Sequence, residues 1–237
     1  MSSSHFDVIA ARYDASLPAH VVEHYLRKRV SYVLAHCPPG RGLDVGCGTG
    51  TLAARLADAG YEMAGIDPSE GMLEVLRRRA PAVDAVQGDG TEIPFPDDSF
   101  DVVLCVAVMH HIADAAAVRA TLAEMTRVAR PGGRILVWDH NPRNPYWKVL
   151  MARVPQDTGD ERLIPERELL DGLAAAGART LSSAQLGLVP DFIPRAGLRA
   201  AAAAERAVEG TALARRLCAH NVILAEKPGR GTPPPRA

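Results

Sequence analysis

The stretch Leu43-Asp44-Val45-Gly46-Cys47-Gly48-Thr49-Gly50 decides the fold. Its first residues read as a short apolar strand, and Thr51-Leu52-Ala53-Ala54-Arg55-Leu56-Ala57-Asp58 reads as the helix that follows. Gly46, Gly48 and Gly50 let the backbone turn sharply between the two and let a ligand lie against the chain with no Cβ in the way. The helix start offers unpaired N–H groups, which suit a negatively charged ligand group. A strand, a glycine turn and a helix therefore make a place to hold a nucleotide-like cofactor.

Spacing narrows the choice of cofactor. The dinucleotide fingerprint G-x-G-x-x-G needs its third glycine at position 51, where this chain has Thr51. Asp44, two places before the first glycine, would repel a pyrophosphate and suits a ligand carrying an ammonium or sulfonium cation. With these residues the segment resembles the first motif of class I S-adenosylmethionine-dependent methyltransferases. The resemblance implies S-adenosylmethionine as cofactor, held at the turn by Asp44, Gly46, Cys47, Gly48 and Gly50.

Later segments follow in the order that this resemblance requires. Tyr61 to Asp67 reads as a second strand ending in a carboxylate, about twenty residues beyond the turn, where open α/β folds place the acid that takes ribose hydroxyls. Asp67 is the candidate for that role, with Pro68 beside it, and Ser69 is a plausible N-cap for the next helix. Val83 to Gln87 is a third strand leading into Gly88-Asp89-Gly90. The resemblance assigns Asp89 and Gly90 to the adenine, although an aspartate between two glycines is equally a turn residue. Val102 to Val108 reads as a fourth strand, in which Val106 is a further cofactor candidate. Arg134 to Trp138 reads as a fifth strand after the breaker Pro131-Gly132-Gly133.

Valine, isoleucine and leucine fill these strands without clean alternation, as parallel strands buried on both faces do. Helix patterns alternate with them, which predicts right-handed crossovers in an α/β doubly wound, mostly parallel sheet. Adding Arg179 to Leu188 and His220 to Glu226 makes a seven-stranded, Rossmann-like sheet. Residues 1–227 then form one methyltransferase domain: an N-terminal helical cap at 1–36, a cofactor core at 41–140 and a lid insertion at 141–165. Residues 228–237 read as a flexible tail.

The cap pattern from Phe6 to Asp14 is similar to that of small-molecule methyltransferases, which suggests Tyr13 as an aromatic wall near the sulfonium. Met109-His110-His111 follows the fourth strand, and Asp139-His140-Asn141 follows the fifth. Neighbouring strands would bring His110 and Asp139 together, and a histidine oriented by a carboxylate is a general base for a hydroxyl proton. Such pairs occur in natural-product sugar O-methyltransferases that this region resembles. His110 is the candidate base and Asp139 its orienting partner, with His111 or His140 as alternatives.

Other chemistries fit less well. A magnesium-dependent site needs a carboxylate after the fourth strand, where the chain has Val108-Met109-His110, so no metal is expected. The Asn-Pro pairs at Asn141-Pro142 and Asn144-Pro145 follow the fifth strand, the wrong place for a loop that grips nucleic-acid bases. A net charge of −1 from 27 basic and 28 acidic side chains points to no polyanionic partner. No run is long and apolar enough for a membrane span, and four scattered cysteines suit a reducing cytoplasm. The expectation is a cytoplasmic enzyme that methylates a small-molecule acceptor at oxygen, in bacterial secondary or glycan metabolism. A C-methyltransferase of a quinone or polyketide-like carbon and a non-catalytic S-adenosylmethionine-binding protein are the alternatives. Nothing in the chain selects between a monomer and a homodimer.

Overall fold

In the computed structural model, which describes residues 3–151 and 161–229, the cap consists of α1 (Ser3–Ile9), a 3-10 turn (Ala10–Ala15) and α2 (Ala19–His36). The core alternates β1 (Arg41–Val45), α3 (Thr51–Asp58), β2 (Glu62–Asp67), α4 (Glu70–Arg79) and β3 (Asp84–Gln87). It continues through β4 (Phe100–Val106), α5 (Ala115–Val128) and β5 (Ala129–His140). A short α6 (Trp147–Leu150) and α7 (Glu166–Ala175) precede β6 (Arg179–Leu186), α8 (Leu198–Glu209) and β7 (His220–Glu226). The seven strands form one sheet in the order β3-β2-β1-β4-β5-β7-β6. The first five pair in parallel, while β7 lies antiparallel between β5 and β6.

Both faces of the sheet are covered, which explains the unbroken apolar strands. Leu43, Val45, Val103, Val137 and Ile223 pack under Leu122 and Met125 of α5 and Leu169 and Leu173 of α7. Val102, Leu104, Trp138 and Val222 face the other way, toward Leu26 and Val33 of α2, Leu56 of α3 and Leu76 of α4. Successive residues of β4 thus enter different cores, as the twofold strand period dictates. The cysteines Cys37, Cys47, Cys105 and Cys218 are all buried and unpaired by disulfides. No described helix is long and apolar enough to cross a membrane.

The element ends depart from the sequence reading in two informative places. The fourth strand stops at Val106 rather than Val108, because Ala107 turns into the left-handed region (φ 58°). Its N–H still bonds Trp138 of β5 at 2.8 Å, so the chain leaves the sheet just past its last ladder bond. Pro131-Gly132-Gly133, read as a break before the fifth strand, is instead a bulge within it. Register passes from Phe100↔Ala129 to Val102↔Arg134, and Gly132 bonds Lys227 at 2.7 Å across the sheet end. The extra residues are absorbed without ending the strand. Parts of the lid (152–160) and of the tail (230–237) lie outside the described residues.

Glu205 of α8 is the main internal charge away from the crevice. It is 1% exposed and accepts from His24 and Lys28 of α2 at 3.0 and 2.6 Å, and from the backbone of Leu188 and Val189 at 2.6 and 3.1 Å. Burial alone would raise its pKa, but these donors hold it down at about 2. The stability Glu205 contributes is therefore complete above the ordinary carboxylate range and is lost as pH falls toward 2. Glu205→Ala is expected to cost about 3 kcal/mol in denaturant unfolding at pH 7. Its unfolding curve should also respond less than wild type to acidification below pH 5, and equal acid sensitivity would exclude Glu205 as a source of it.

Candidate functional site

The order of strands reverses between β1 and β4, and the crevice of a doubly wound sheet opens beyond the carboxyl ends at such a point. Here β1 runs into the glycine turn and β4 into Ala107 and Val108. A cavity of about 60 Å³ lies between them, lined by Phe6 and Tyr13 of the cap, Gly46, Gly48, Asp67, Pro68, Met72, Ala107, Val108 and His111. A larger cavity of about 240 Å³ adjoins it, sharing Tyr13, Ala107 and His111 and adding Tyr25, Arg29, His110, His140, Trp147 and His220 among others. The remaining expected cofactor residues, Asp44, Cys47, Gly50, Asp89, Gly90 and Val106, line neither cavity.

The glycine turn is built for close approach. Gly46, Gly48 and Gly50 all have positive φ, but their surroundings differ. A Cβ on Gly46 would meet Val108 at 2.5 Å and one on Gly50 would meet Leu76 at 2.4 Å, so packing excludes both. A Cβ on Gly48 would meet nothing within 4 Å. At Gly48 alone of the three, the missing side chain leaves free room beside the crevice. Behind the turn, the Asp67 carboxylate accepts from the Gly48 and Ser69 N–H groups, each at 2.9 Å and each on a different oxygen. Each oxygen keeps a lone pair for a further donor. Burial raises the Asp67 pKa against the pull of those two bonds.

Two charges of opposite sign lie nearby. Asp44 is buried on β1, and burial, aided by Asp67, pushes its pKa up to about 7. Arg29 of α2 lines the larger cavity and lies within electrostatic reach of Asp44 and Asp139. Among the described residues no hydrogen bond or ion pair involves its side chain, and its Nε is buried without a partner. The sequence reading overlooked Arg29. Its signal was there: Val21, Tyr25, Arg29 and Val33 recur every fourth position, so a cation interrupts the inward stripe of a helix.

The cap is fastened over this crevice by two carboxylates. Asp7 accepts from Ser69 Oγ at 2.6 Å and from the Gly71 N–H at 2.9 Å, at the start of α4. Asp14 accepts from Thr49 Oγ1 at 2.7 Å and pairs with Arg79. Phe6 and Tyr13 are thereby held against the mouth of the glycine turn. Asp89 sits apart and exposed, its Oδ1 accepting from the N–H and hydroxyl of Thr91 at 2.8 and 2.7 Å. That is the geometry of an Asx turn. Cys47 is packed beneath Gly65, and Val106 lies against the core on the α2 side.

Beyond β4 and β5 the chain assembles a buried group of rings. His110 Nδ1 lies 2.7 Å from Asp139 Oδ1, and the His110 N–H donates to Asp139 Oδ2 at 3.1 Å. The His140 N–H also donates to Asp139, at 2.6 Å. Burial raises the Asp139 pKa, but His110 and the His140 N–H outweigh it, and the carboxyl ends below its usual range. An ionised Asp139 only accepts, so the His110 Nδ1 carries a proton, and the neutral form of the ring then has Nε2 as its acceptor. His111 and His220 are driven to about 3, mainly by burial, and His140 is pushed well down by the same cause. These three rings are neutral at pH 7. His110, Asp139 and His140 offer donor atoms within 4.8 Å of one another. The two imidazoles are nevertheless stacked, with centroids 3.8 Å apart and planes at 28°. Their in-plane lone pairs therefore run alongside each other instead of converging on one ion.

Known proteins share this architecture. Residues 43–137 match the methyltransferase domain family. A demethylmenaquinone methyltransferase of Renibacterium salmoninarum is 36% identical over 159 residues, covering 63% of this chain and 65% of that protein, so this chain spans just under two thirds of that relative. A demethylmenaquinone methyltransferase of Mycobacterium sp. strain KMS is 35% identical over 162 residues, 65% of this chain and 68% of that protein. In fold, the chain resembles an S-adenosylmethionine-dependent methyltransferase of Thermotoga maritima with a TM-score of 0.72 at 24% identity, over 94% of this chain and 98% of that one.

The glycines supply a direct test of where a cofactor lies. Gly48→Ala should lower stability by only about 1–2 kcal/mol, the cost of a left-handed alanine. It should weaken S-adenosylmethionine binding at least tenfold in calorimetric titration. Gly46→Ala, which collides with Val108, should instead lower the melting temperature more than Gly48→Ala does. Wild-type affinity in a folded Gly48→Ala protein would put the cofactor elsewhere.

Proposed function

Because this chain belongs to the class I S-adenosylmethionine-dependent methyltransferases, we propose that it transfers a methyl group from S-adenosylmethionine to a hydroxyl oxygen of a small-molecule acceptor. The observation that carries this reading is the buried His110–Asp139 pair, with its free acceptor nitrogen, in the wall of the larger cavity. Tyr13, Ala107 and His111 join that cavity to the crevice beside Gly48 and Asp67. A methyl donor bound in one and an acceptor in the other would meet at that junction.

The donor set matches the parts of the cofactor. Asp67 has one lone pair left on each oxygen for a pair of ribose hydroxyls. Arg29, in the wall of the larger cavity, is a cation within reach of that junction for the carboxylate of the amino-acid end, with Asp44 buried behind the turn on β1. Tyr13 and Phe6 offer aromatic faces near a sulfonium. When bound, the cofactor supplies an electrophilic methyl group. The protein's share is to hold acceptor and donor in line, which removes much of the entropic barrier. His110 Nε2 would take the hydroxyl proton while Asp139 holds Nδ1–H and stabilises the resulting imidazolium. His111, at about 3, is a weak base at neutral pH, and that favours His110 for the task.

The names of the relatives support a second reading, in which the acceptor is a quinone-type ring methylated at carbon. The same base would then act on an acidic hydroxyl or C–H. Turnover of S-adenosylmethionine with a panel of hydroxylated and quinol acceptors, followed by mass spectrometry of the product, assigns the methyl to oxygen or carbon. Absence of turnover with every acceptor would favour a binding protein without catalysis.

Substitutions at Asp67, His110 and Asp139 test the assignments. Asp67→Ala should weaken S-adenosylmethionine binding far more than Asp67→Asn, whose amide retains one acceptor. Equal affinities in calorimetry would remove Asp67 from the cofactor. His110→Ala should slow single-turnover methyl transfer by about 10²–10⁴-fold, with little change in cofactor affinity. The wild-type rate should rise with pH along a limb that His110→Ala lacks, and Asp139→Asn should show a smaller loss. A full-rate His110→Ala enzyme would leave positioning as the whole mechanism.

A further inference from the structure

The segment Asn141-Pro142-Arg143-Asn144-Pro145-Tyr146-Trp147, with its repeated Asn-Pro pairs, has no part in the chemistry above. Its side chains are nonetheless firmly placed. Asn141 Nδ2 donates to the backbone carbonyls of Arg216 and Cys218 at 2.9 and 2.8 Å, and Asn144 Nδ2 donates to that of Leu217 at 2.8 Å. Both asparagines also close turns on their own segment, to the N–H groups of Arg143 and Tyr146. The result carries Trp147 inward, where its indole N–H donates to the carbonyl of Ala219.

There Trp147 lies flat on His140, with centroids 3.5 Å apart and planes at 25°. The opposite face of His140 lies on His110 at 3.8 Å and 28°. Three rings thus form one buried stack, and at its His110 end the His111 ring lies tilted against the proposed base, with centroids 4.0 Å apart and planes at 41°. The His140 ring is not held by a hydrogen bond at Nδ1, which is buried without a partner among the described residues. Stacking is what locates it.

We propose that His140, wedged by Trp147, is a positioning residue for His110. Asp139 fixes one edge of the His110 ring through Nδ1, but a single hydrogen bond leaves rotation about that contact. The flat face of His140 removes that freedom where the tilted His111 ring alone would not, and would keep Nε2 available to the larger cavity that His110 lines. Being neutral, His140 does this without setting a second positive charge against the imidazolium that His110 would become. The Asn-Pro segment then serves to deliver Trp147 as a backing plate. The inference rests on the reading of His110 as proton acceptor.

The test separates ring orientation from turnover. In protein with isotope-labelled histidine, the His110 ring nitrogens in wild type should report a single Nδ1–H tautomer by nuclear magnetic resonance. Trp147→Ala should give averaged or doubled His110 signals, whereas Trp147→Phe, which keeps a flat face, should restore the wild-type pattern. The same Trp147→Ala protein should lose about tenfold or more in single-turnover rate, the scale of a misplaced reacting group. Its pH–rate limb should move, while S-adenosylmethionine affinity stays within about twofold. The groups facing His110 that enter this profile are Asp139, His111 and His140, with Glu161 beside His111 and His220 and Arg29 acting on His140. If Trp147→Ala does not fold, Trp147→Leu against Trp147→Phe gives the same contrast of branched against flat. A single unchanged His110 tautomer in the alanine or leucine variant overturns the proposal, whatever the turnover. The spectral contrast in a protein that methylates no acceptor would support the stack and count against the reaction.

Discussion

The reversal of strand order between β1 and β4 is the constraint on which the rest of this molecule depends. Parallel strands need long crossovers, and each crossover is right-handed, so the two halves of the chain wind outward in opposite directions from this seam. No crossover can cover the gap between them at the carboxyl ends. The gap is filled from outside, by the cap that Asp7 and Asp14 fasten to the starts of α3 and α4. The glycine turn and Asp67 lie on the β1 side of the seam and the ring cluster on the β4 side, while Tyr13 of the cap lines both cavities. Ala107, with its left-handed backbone, marks the boundary.

The buried charges follow from that geometry. Asp44 and Asp67 come close because β1 and β2 are neighbours, and Asp67 adds to the burial that disfavours ionisation of Asp44. Arg29 crosses from the cap helix to oppose Asp44. On the acceptor side a single carboxylate, Asp139, is kept ionised by three donors, and the histidines around it stay neutral because burial makes protonation costly. His110 differs from His111, one residue away, in how close its carboxylate lies: Asp139 is 2.7 Å from the His110 Nδ1, whereas Glu161 is 3.7 Å from that of His111.

Much of the parallel half was legible in the sequence, since strands buried on both faces appear as Val, Ile and Leu runs that end at glycine or aspartate. The approach of His110 to Asp139 was legible for a related reason: consecutive parallel strands in this topology end side by side. Local signals failed where the sheet overrode them. Pro131 to Gly133 look like a stop, yet pairing on both sides carries β5 through them as a bulge. The end of β4 was misjudged because nothing in Val106-Ala107-Val108 announces a positive φ. Asp89 carries both a turn signal and a motif position, and sequence cannot rank them. Trp147 was visible only as an aromatic in a proline-rich segment. Its place depends on bonds from Asn141 and Asn144 to residues 216–218, and such distant pairings have no local signature.

The insertion of β7 between β5 and β6 bears on how the chain is made. A ribosome delivers β5 long before β7: positions 141 to 219 must emerge before the antiparallel partner of Ile135–Trp138 exists. During that interval the outer edge of β5 is an open ladder of backbone donors and acceptors along one of the most apolar strands in the molecule. Open edges of this kind recruit other strands. The nascent chain is thus at its most vulnerable after β5 has emerged and before β7 has. Interrupting synthesis after β6 would leave a half-built sheet with its edge exposed, a species suited to capture by a chaperone or by another copy of itself.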